Sequence, residues 1–531
     1  MEKISNKKSF YLFIKIFIVV LISGILIGGI FIYAFVGGIK LNIYINNTYQ
    51  TIEGFGASSA WFSQEIGAYQ GVDSDLFKKQ ATEYLYGDAG LRLNTYRYNI
   101  GAGSWDLYKN DVGDYRCEDR RTAALTESFF IPEKFSGDYS VFADINNYDV
   151  SRDQNAVSML KMALDTNNIS KIVLFLNSPY YAFTKNGMCL GNDDDLNNLK
   201  AECFDAYSDY VMMCSYILYE EVIKPYNIDS SKIFLSPVNE PQWDWTFSTS
   251  DQEGCHYDPD YLAKFYDKFY LKLNYWNSVW STNFVLDIFE CGSYSENEDL
   301  DIYDYLSAFK THEFFKALDT ISIHSYWVGE NKEPKRRLKN KIHNYNVYNL
   351  SISEYCDMIS GRDYSINMAI RDAQIINRDL TILNAISWSW WLGVSDEDFN
   401  SSLVYYDIDD KNTQNDLTDD TYTFTVPKRY YALKHYSYFI SEGDKRVQIS
   451  SSDALGLKKL DYSAFIKPDG SLIVVIINAD KPQKIQLKSV HYEYMDTFLT
   501  TSEYDWKVEN GKFKRDITIP SNAILTIKLY N

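Results

Sequence analysis

From residue 39 onward the chain alternates short apolar runs with longer amphipathic stretches. Ile39-Lys-Leu-Asn-Ile-Tyr-Ile-Asn opens it with apolar and polar positions in strict alternation, which predicts a half-buried strand over residues 39–51. From Gly54 the pattern becomes strand, helix, strand, helix. Eight runs read as strands: 54–57, 95–100, 171–177, 233–237, 284–290, 321–324, 350–353 and 385–390. Most are continuously apolar, as expected of parallel strands covered on both faces. Helical stripes lie between them. Val211, Cys214, Leu218 and Val222 form one that stops at Pro225, and Asp258-Pro259 opens another as N-cap and first-turn residues. Ser151-x-x-Gln154 offers a capping box ahead of a third. This order predicts an α/β fold, a (β/α)8 TIM barrel.

The pattern changes again after the helix-like 428–439. Short strands with tight turns follow. Pro468-Asp-Gly470 separates two strands, Asn510-Gly511 is a hairpin signal, and Ile524 to Tyr530 closes the chain as a strand. These predict a small antiparallel β-sandwich, which the strand at 39–51 is placed to join. At the other end, Lys3, Lys7, Lys8 and Lys15 precede an apolar run of 21 residues from Ile16 to Val36. As a helix this run is long enough to cross a bilayer, and the basic flank predicts a cytoplasmic N-terminus. Its length favours an uncleaved signal-anchor, with the rest of the chain outside the cell membrane. Cleavage near Ala34 and secretion is the alternative. The expected organisation is a stub and transmembrane helix over 1–38, a sandwich strand over 39–52, a barrel over 53–440 and a β-sandwich over 441–531.

Composition narrows the function. The net charge is -20 over 531 residues, so nucleic acid is excluded as a partner. Seven cysteines form no CxxC pair, and no ligand spacing suggests a metal or cofactor. The acidic stretch 407–420 reads as a solvated loop. Aromatic residues reach 16%, which suits ring-stacking on sugars as well as packing.

Two strand ends carry candidate chemistry. Ile233-Phe-Leu runs into Asn239-Glu240-Pro241 and two tryptophans, and Leu350-Ser-Ile-Ser ends in Glu354. These are the fourth and seventh predicted strands, and barrel catalytic groups sit at the C-terminal ends of strands. Cleaving a glycosidic bond takes one carboxylic acid to protonate the leaving oxygen and a second carboxylate to attack or to activate water. Most of the 72 acidic residues are surface groups. It is the paired context that singles these two out.

The motifs Glu53-Gly-Phe-Gly-Ala57, Arg97-Tyr-Asn-Ile-Gly101, Asn177-Ser-Pro179, Asn239-Glu-Pro241, His324-Ser-Tyr326, Ser353-Glu-Tyr355 and Lys428-Arg-Tyr-Tyr-Ala432 resemble those of glycoside hydrolase family 30. The resemblance implies a retaining double displacement. Glu240 would be the acid/base and Glu354 the nucleophile, kept ionised by Arg97. Asn239 would hold the sugar 2-hydroxyl, and Tyr326 would donate to Glu354. Asn99 and His324 are further substrate-binding candidates, His324 alternatively satisfying a core carbonyl. Trp61, Trp243, Trp388 and Trp391 are candidate stacking platforms. The stretch Tyr180-Tyr-Ala-Phe183 departs from relatives, which carry a second proline and a Trp-Met pair there. Phe55-Gly-Ala-Ser-Ser-Ala-Trp61 with Asn239-Glu-Pro-Gln-Trp243 looks closest to the endo-β-1,6-galactanase-like branch. Other members act on β-1,6-glucan, xylan or glucosylceramide. A uronate-bearing substrate would require a cation, for which Arg362 is a candidate. A membrane-tethered glycan-binding protein without activity is the reading from another class.

Overall fold

The computed structural model describes residues 38–109, 125–246, 250, 252–295, 300–411, 413, 416–453, 456 and 459–531. The apolar run 16–36 and Cys117 lie outside them. Among the described residues no helix is long and apolar enough to cross a membrane.

The strands β2 (Gly54–Ser58), β3 (Thr95–Asn99), β4 (Lys171–Phe175) and β5 (Ile233–Ser236) pair in parallel, each with the next. The fifth run of the pattern is split into β6 (Val285–Leu286) and β7 (Phe289–Cys291). Its first half pairs with β5 and its second with β8 (Thr320–His324). Next come β9 (Asn349–Glu354) and β10 (Ser387–Ser395), and β10 returns to β2. The two halves of one strand therefore join the ends of the sheet, and the parallel ring closes. β2, β3 and β4 are buried at every position. A sheet covered by helices outside and side chains inside has no wet face, which is why these strands read as unbroken apolar runs. The hairpin β11 (Ser402–Asp409) and β12 (Thr421–Thr425) extends the ring from β10.

The second sheet holds β13 (Lys445–Ser451), β14 (Leu460–Ile466), β15 (Leu472–Asn478), β16 (Gln483–Lys488), β17 (Tyr494–Thr500), β18 (Lys507–Lys512), β19 (Asp516–Ile519) and β20 (Ala523–Tyr530). β1 (Ile39–Thr51) lies between β13 and β16, so the first described strand completes a domain made from the C-terminal end. Its alternation buries Ile39, Leu41 and Ile43 in the apolar core of that domain. The helices Ile366–Arg378 and Lys428–Ser437 carry the ring against this sheet. Asn377 bonds Ser463, Arg378 bonds Asp461, and His435 sits between Thr500 and Thr526.

Two local expectations are corrected. Asn510 and Gly511 are not a turn: they pair with Asp496 and Met495 inside β18, and the chain reverses instead through 501–506, where Thr501 N–H bonds Tyr504 O. The capping box at Ser151 does not form, because the Asp149 carboxylate takes the Ser151 N–H and hydroxyl and caps a 3-10 turn, Val150–Asp153, ahead of the helix.

Candidate active site

Ring closure brings the ends of β5, β7, β8 and β9 to one mouth, where a cavity of about 490 Å³ opens. Glu240 and Glu354 both line it, and both are buried. Glu240 follows β5 in the left-handed region (φ 47°), and Glu290 in β7 does the same (φ 55°). Both backbones are held in a conformation that side-chain-bearing residues adopt sparingly. They are tied together, since the Glu240 N–H donates to the Glu290 carbonyl at 2.9 Å. The Trp245 indole N–H caps the Glu240 carbonyl at 3.0 Å. Gly292 then gives way to the acid: a Cβ there would stand 2.8 Å from Glu240 Oε1 and 2.5 Å from the Trp243 ring.

Three carboxylates meet two cations. Arg97, rising from β3, places Nη1 2.5 Å from Glu354 Oε2, and Nη2 3.0 Å from Asn239 Oδ1 and 3.7 Å from Glu290 Oε2. Its guanidinium lies over the Phe175 ring at 3.7 Å, so one face is packed while its edge works. Tyr326 donates to Glu354 Oε1 at 2.9 Å. His324 places Nδ1 2.8 Å from Glu240 Oε1 and Nε2 2.9 Å from Glu290 Oε2, with Glu354 Oε1 3.6 Å away.

These neighbours drive the acids apart. Burial pushes the Glu240 carboxyl up to about 7. The His324 hydrogen bond and charge and the Arg97 charge pull against that, while the negative charge of Glu354 adds to it. Burial also works against an ionised Glu290, but Arg97, His324 and the Ser353 hydroxyl outweigh it and hold that group down at about 2. His324, which burial alone would neutralise, is raised to about 10 by Glu354, Glu240 and Glu290.

Oxygens of Glu240 and Glu354 and a nitrogen of His324 lie within 4.8 Å of one another. That spacing also suits a metal ion, but the chemistry does not. Both imidazole nitrogens already face carboxylates, so the free lone pair a metal takes from histidine is spent. Two carboxyls this close, one raised toward neutral pH, supply the pair of acids that cleaving a glycosidic bond requires.

The O-Glycosyl hydrolase family 30 model matches residues 38–405, and the Glycosyl hydrolase family 30 beta sandwich domain matches residues 443–527. The chain belongs to glycoside hydrolase family 30. It is an O-glycosyl hydrolase, and its substrate is a carbohydrate. An endo-beta-1,6-galactanase of Hypocrea rufa is 23% identical over 368 residues, 67% of each chain. Among solved structures, a conserved exported protein from Bacteroides fragilis superposes with a TM-score of 0.76 at 22% identity, covering 92% of this chain and 100% of that one. The catalytic domain of the xylanase C from Talaromyces cellulolyticus gives 0.64 at 16% identity, covering 93% and 100%. These two share the fold.

Within this family 30 hydrolase, Trp61, Trp243 and Trp391 line the cavity, as do Asn239 and Tyr326. Trp61 and Trp391 meet edge to face at 5.3 Å. Trp388 is a correction. It is fully buried, its indole N–H bonded to Asp379 and its ring packed on Tyr355 and Trp390. Side chains alternate along a strand, so residues three apart in β10 face opposite ways. Asn99 does not reach the cavity either: it bonds the Ile100 carbonyl and receives Asn177, which in turn receives Asn239. His324 neither lines the cavity nor bonds a core carbonyl; it is locked between carboxylates. Arg362 is taken up by Asp407 and by backbone carbonyls of 396 and 397. The sequence reading missed Glu290, Trp327, Glu397 and Asp398, of which all but Glu290 line the cavity; Trp245, the second tryptophan after Glu240, lines it too.

Proposed function

We propose that this family 30 hydrolase cleaves β-1,6-linked galactan within the chain, with retention of configuration. The observation that carries the mechanism is the pairing of Glu240 and Glu354 in one cavity with their hydrogen-bond partners differently disposed. Arg97 and His324 supply two positive charges, and Glu290 and Glu354 two negative ones, which leaves Glu240 to hold a proton near neutral pH. His324 Nδ1–H donates to Glu240 Oε1, so the proton sits on Oε2. In the first step a Glu354 oxygen attacks the anomeric carbon while Glu240 passes its proton to the departing glycosidic oxygen. A glycosyl ester of Glu354 results. In the second step Glu240, now a carboxylate, takes a proton from water as that water attacks the same carbon and frees Glu354. Asn239, oriented by Arg97 and Asn177, offers its amide to the sugar.

The galactanase named above supports the linkage, and the tryptophans about the cleft support a sugar substrate. Incubation with β-1,6-galactan, β-1,6-glucan, xylan and aryl glycosides, with products followed by NMR, tests the reading. It expects galacto-oligosaccharides released first as the β anomer. Release of the α anomer, or full activity in Glu354→Gln, would sink the mechanism, and cleavage confined to another polymer would sink the specificity. The apolar run 16–36 supports a domain tethered outside the cell membrane; recovery of the full chain in the soluble fraction of the medium would speak for secretion after cleavage.

A further inference from the structure

A second cavity, of about 430 Å³, adjoins the first. It lies between the segment 326–331 that follows β8 and the segment 355–359 that follows β9. Tyr326, Trp327, Cys356 and Met358 line both cavities. Neither Glu240 nor Glu354 lines the second.

We propose that Trp327 and this second cavity form a further sugar-binding subsite, which takes a neutral sugar residue of the same chain whose linkage is cut at Glu240 and Glu354. The inference rests on the glycosidase reading of that pair and adds to it where the rest of the glycan goes.

Trp327 is 60% exposed, although the next residue back, Tyr326, is buried against Glu354. Its backbone is in the left-handed region (φ 60°), which turns the chain sharply after Tyr326. The ring is thus presented to the boundary of the two cavities instead of folding into the core. Met358 and Ile359 beside it are each 45% exposed. Grouped apolar surface at the rim of a working cleft marks a place that something covers, and a flat ring flanked by aliphatic groups suits the C–H face of a pyranose. The polar wall of the same cavity supplies the complement. Arg371 is fixed by Asp357 at 2.5 Å and by Glu330 at 3.2 Å. With its charge already matched, this cluster offers donors and acceptors to hydroxyl groups and no surplus cation to an anion. An uncharged, hydroxyl-rich ring satisfies both walls. Occupying the two cavities together takes several linked sugars, so the subsite favours longer chains.

The test uses β-1,6-linked galacto- and gluco-oligosaccharides of two to six units. In wild type, kcat/KM rises with length until both cavities are filled. In Trp327→Ala the ratio of hexasaccharide to disaccharide kcat/KM falls about tenfold, the size of a lost aromatic contact, and Trp327→Phe restores part of it. Ile359→Asp, which places charge in the second cavity alone, lowers the same ratio. Binding of the hexasaccharides to Glu354→Gln, by calorimetry, reads the subsite without turnover. Affinity that drops when Trp327→Ala is added supports it even if the galactan specificity is wrong. An unchanged length ratio in both variants, or equal hexasaccharide affinity with and without Trp327, overturns it.

Discussion

Glu290 and Glu240 grip opposite nitrogens of one imidazole, at 2.9 and 2.8 Å from His324. The buried carboxylate that does not line the cleft therefore acts on the one that does. Glu290 is surrounded by Arg97, His324, Ser236 and Ser353, with Asp287 of the same strand run nearby. It stays charged, and it offsets the two cations that would otherwise draw the proton off Glu240.

Glu290→Gln keeps the shape and removes that charge. Arg97 and His324 then act on Glu240 with less opposition, so its proton is released at lower pH. On the proposed mechanism, wild-type kcat/KM is expected to fall as pH rises through about 7, where Glu240 would lose the proton it donates. In the variant this alkaline limb moves toward acid by about one pH unit or more, while activity at low pH is less affected. Superimposable pH profiles would show that Glu290 only fills space.

Glu240→Gln removes the acid itself. The loss depends on the leaving group: about 10²–10⁴ in kcat/KM for a natural glycan, whose departing oxygen needs the proton. An aryl glycoside with an acidic phenol needs little help and loses far less in its first step. Equal losses on the two substrates, measured side by side, would take Glu240 out of the acid role.

Gly292→Ala probes the same acid from outside it. The new methyl has to displace the Trp243 ring or Glu240 Oε1. Small misplacements of a reacting group cost about 10²-fold in rate. The expected result is a fall of that order in kcat/KM, with a thermal unfolding transition close to that of wild type. Full activity would mean that Trp243 moves freely.

Much of this site is legible in the amino-acid pattern. Parallel strands wetted on neither face betray themselves as apolar runs, and Glu240 and Glu354 stand out because each follows such a run. Glu290 also ends a predicted strand, but Phe289-Glu290-Cys291 carries no asparagine, proline or tryptophan to mark it. The tryptophans show the limit. In Trp388-Ser-Trp-Trp391 each face of the strand carries a tryptophan, so alternation alone cannot say which ring meets the cleft. Trp327, Glu397 and Asp398 depend on loop paths that periodicity does not encode. Asn510-Gly511 has the chemistry of a turn, yet seven cross-strand pairs between β17 and β20, and six with β18, hold it in a strand.

The cleft also predicts which polymers are refused. Glu240, Glu354, Glu397 and Asp398 line it, and among the described residues no lysine or arginine does. Arg97 is buried behind Glu354, and Arg362 is engaged elsewhere. A uronate brought here meets carboxylates and no exposed cation, a mismatch that costs affinity and on-rate. Neutral β-1,6-galactan should therefore be cleaved in preference to the same polymer bearing glucuronic acid, by a margin that shrinks as salt is added. Faster cleavage of the acidic polymer would contradict this charge reading.

A last prediction concerns the seam between the two domains. His435 is fully buried, with Nδ1 2.8 Å from Thr526 Oγ1 and Nε2 2.9 Å from Thr500 Oγ1. Burial first, and then the charge of Lys434, depress its pKa to about 3. The folded protein thus keeps this ring neutral, while the unfolded chain binds a proton below about 6.5. The unfolded state gains protons as pH falls, so the group destabilises the fold by about 1.4 kcal/mol for each unit below 6.5. Above 6.5 it has no effect. Buried carboxyls raised to about 7, Glu253 and Asp153 among them, act in the opposite direction over the same range. The comparison must therefore be between wild type and His435→Gln, whose amide can still bond both threonines. The variant should gain on wild type steadily between pH 6.5 and 5 in denaturant melts, and a stability difference independent of pH would mean that His435 is free to protonate where it stands.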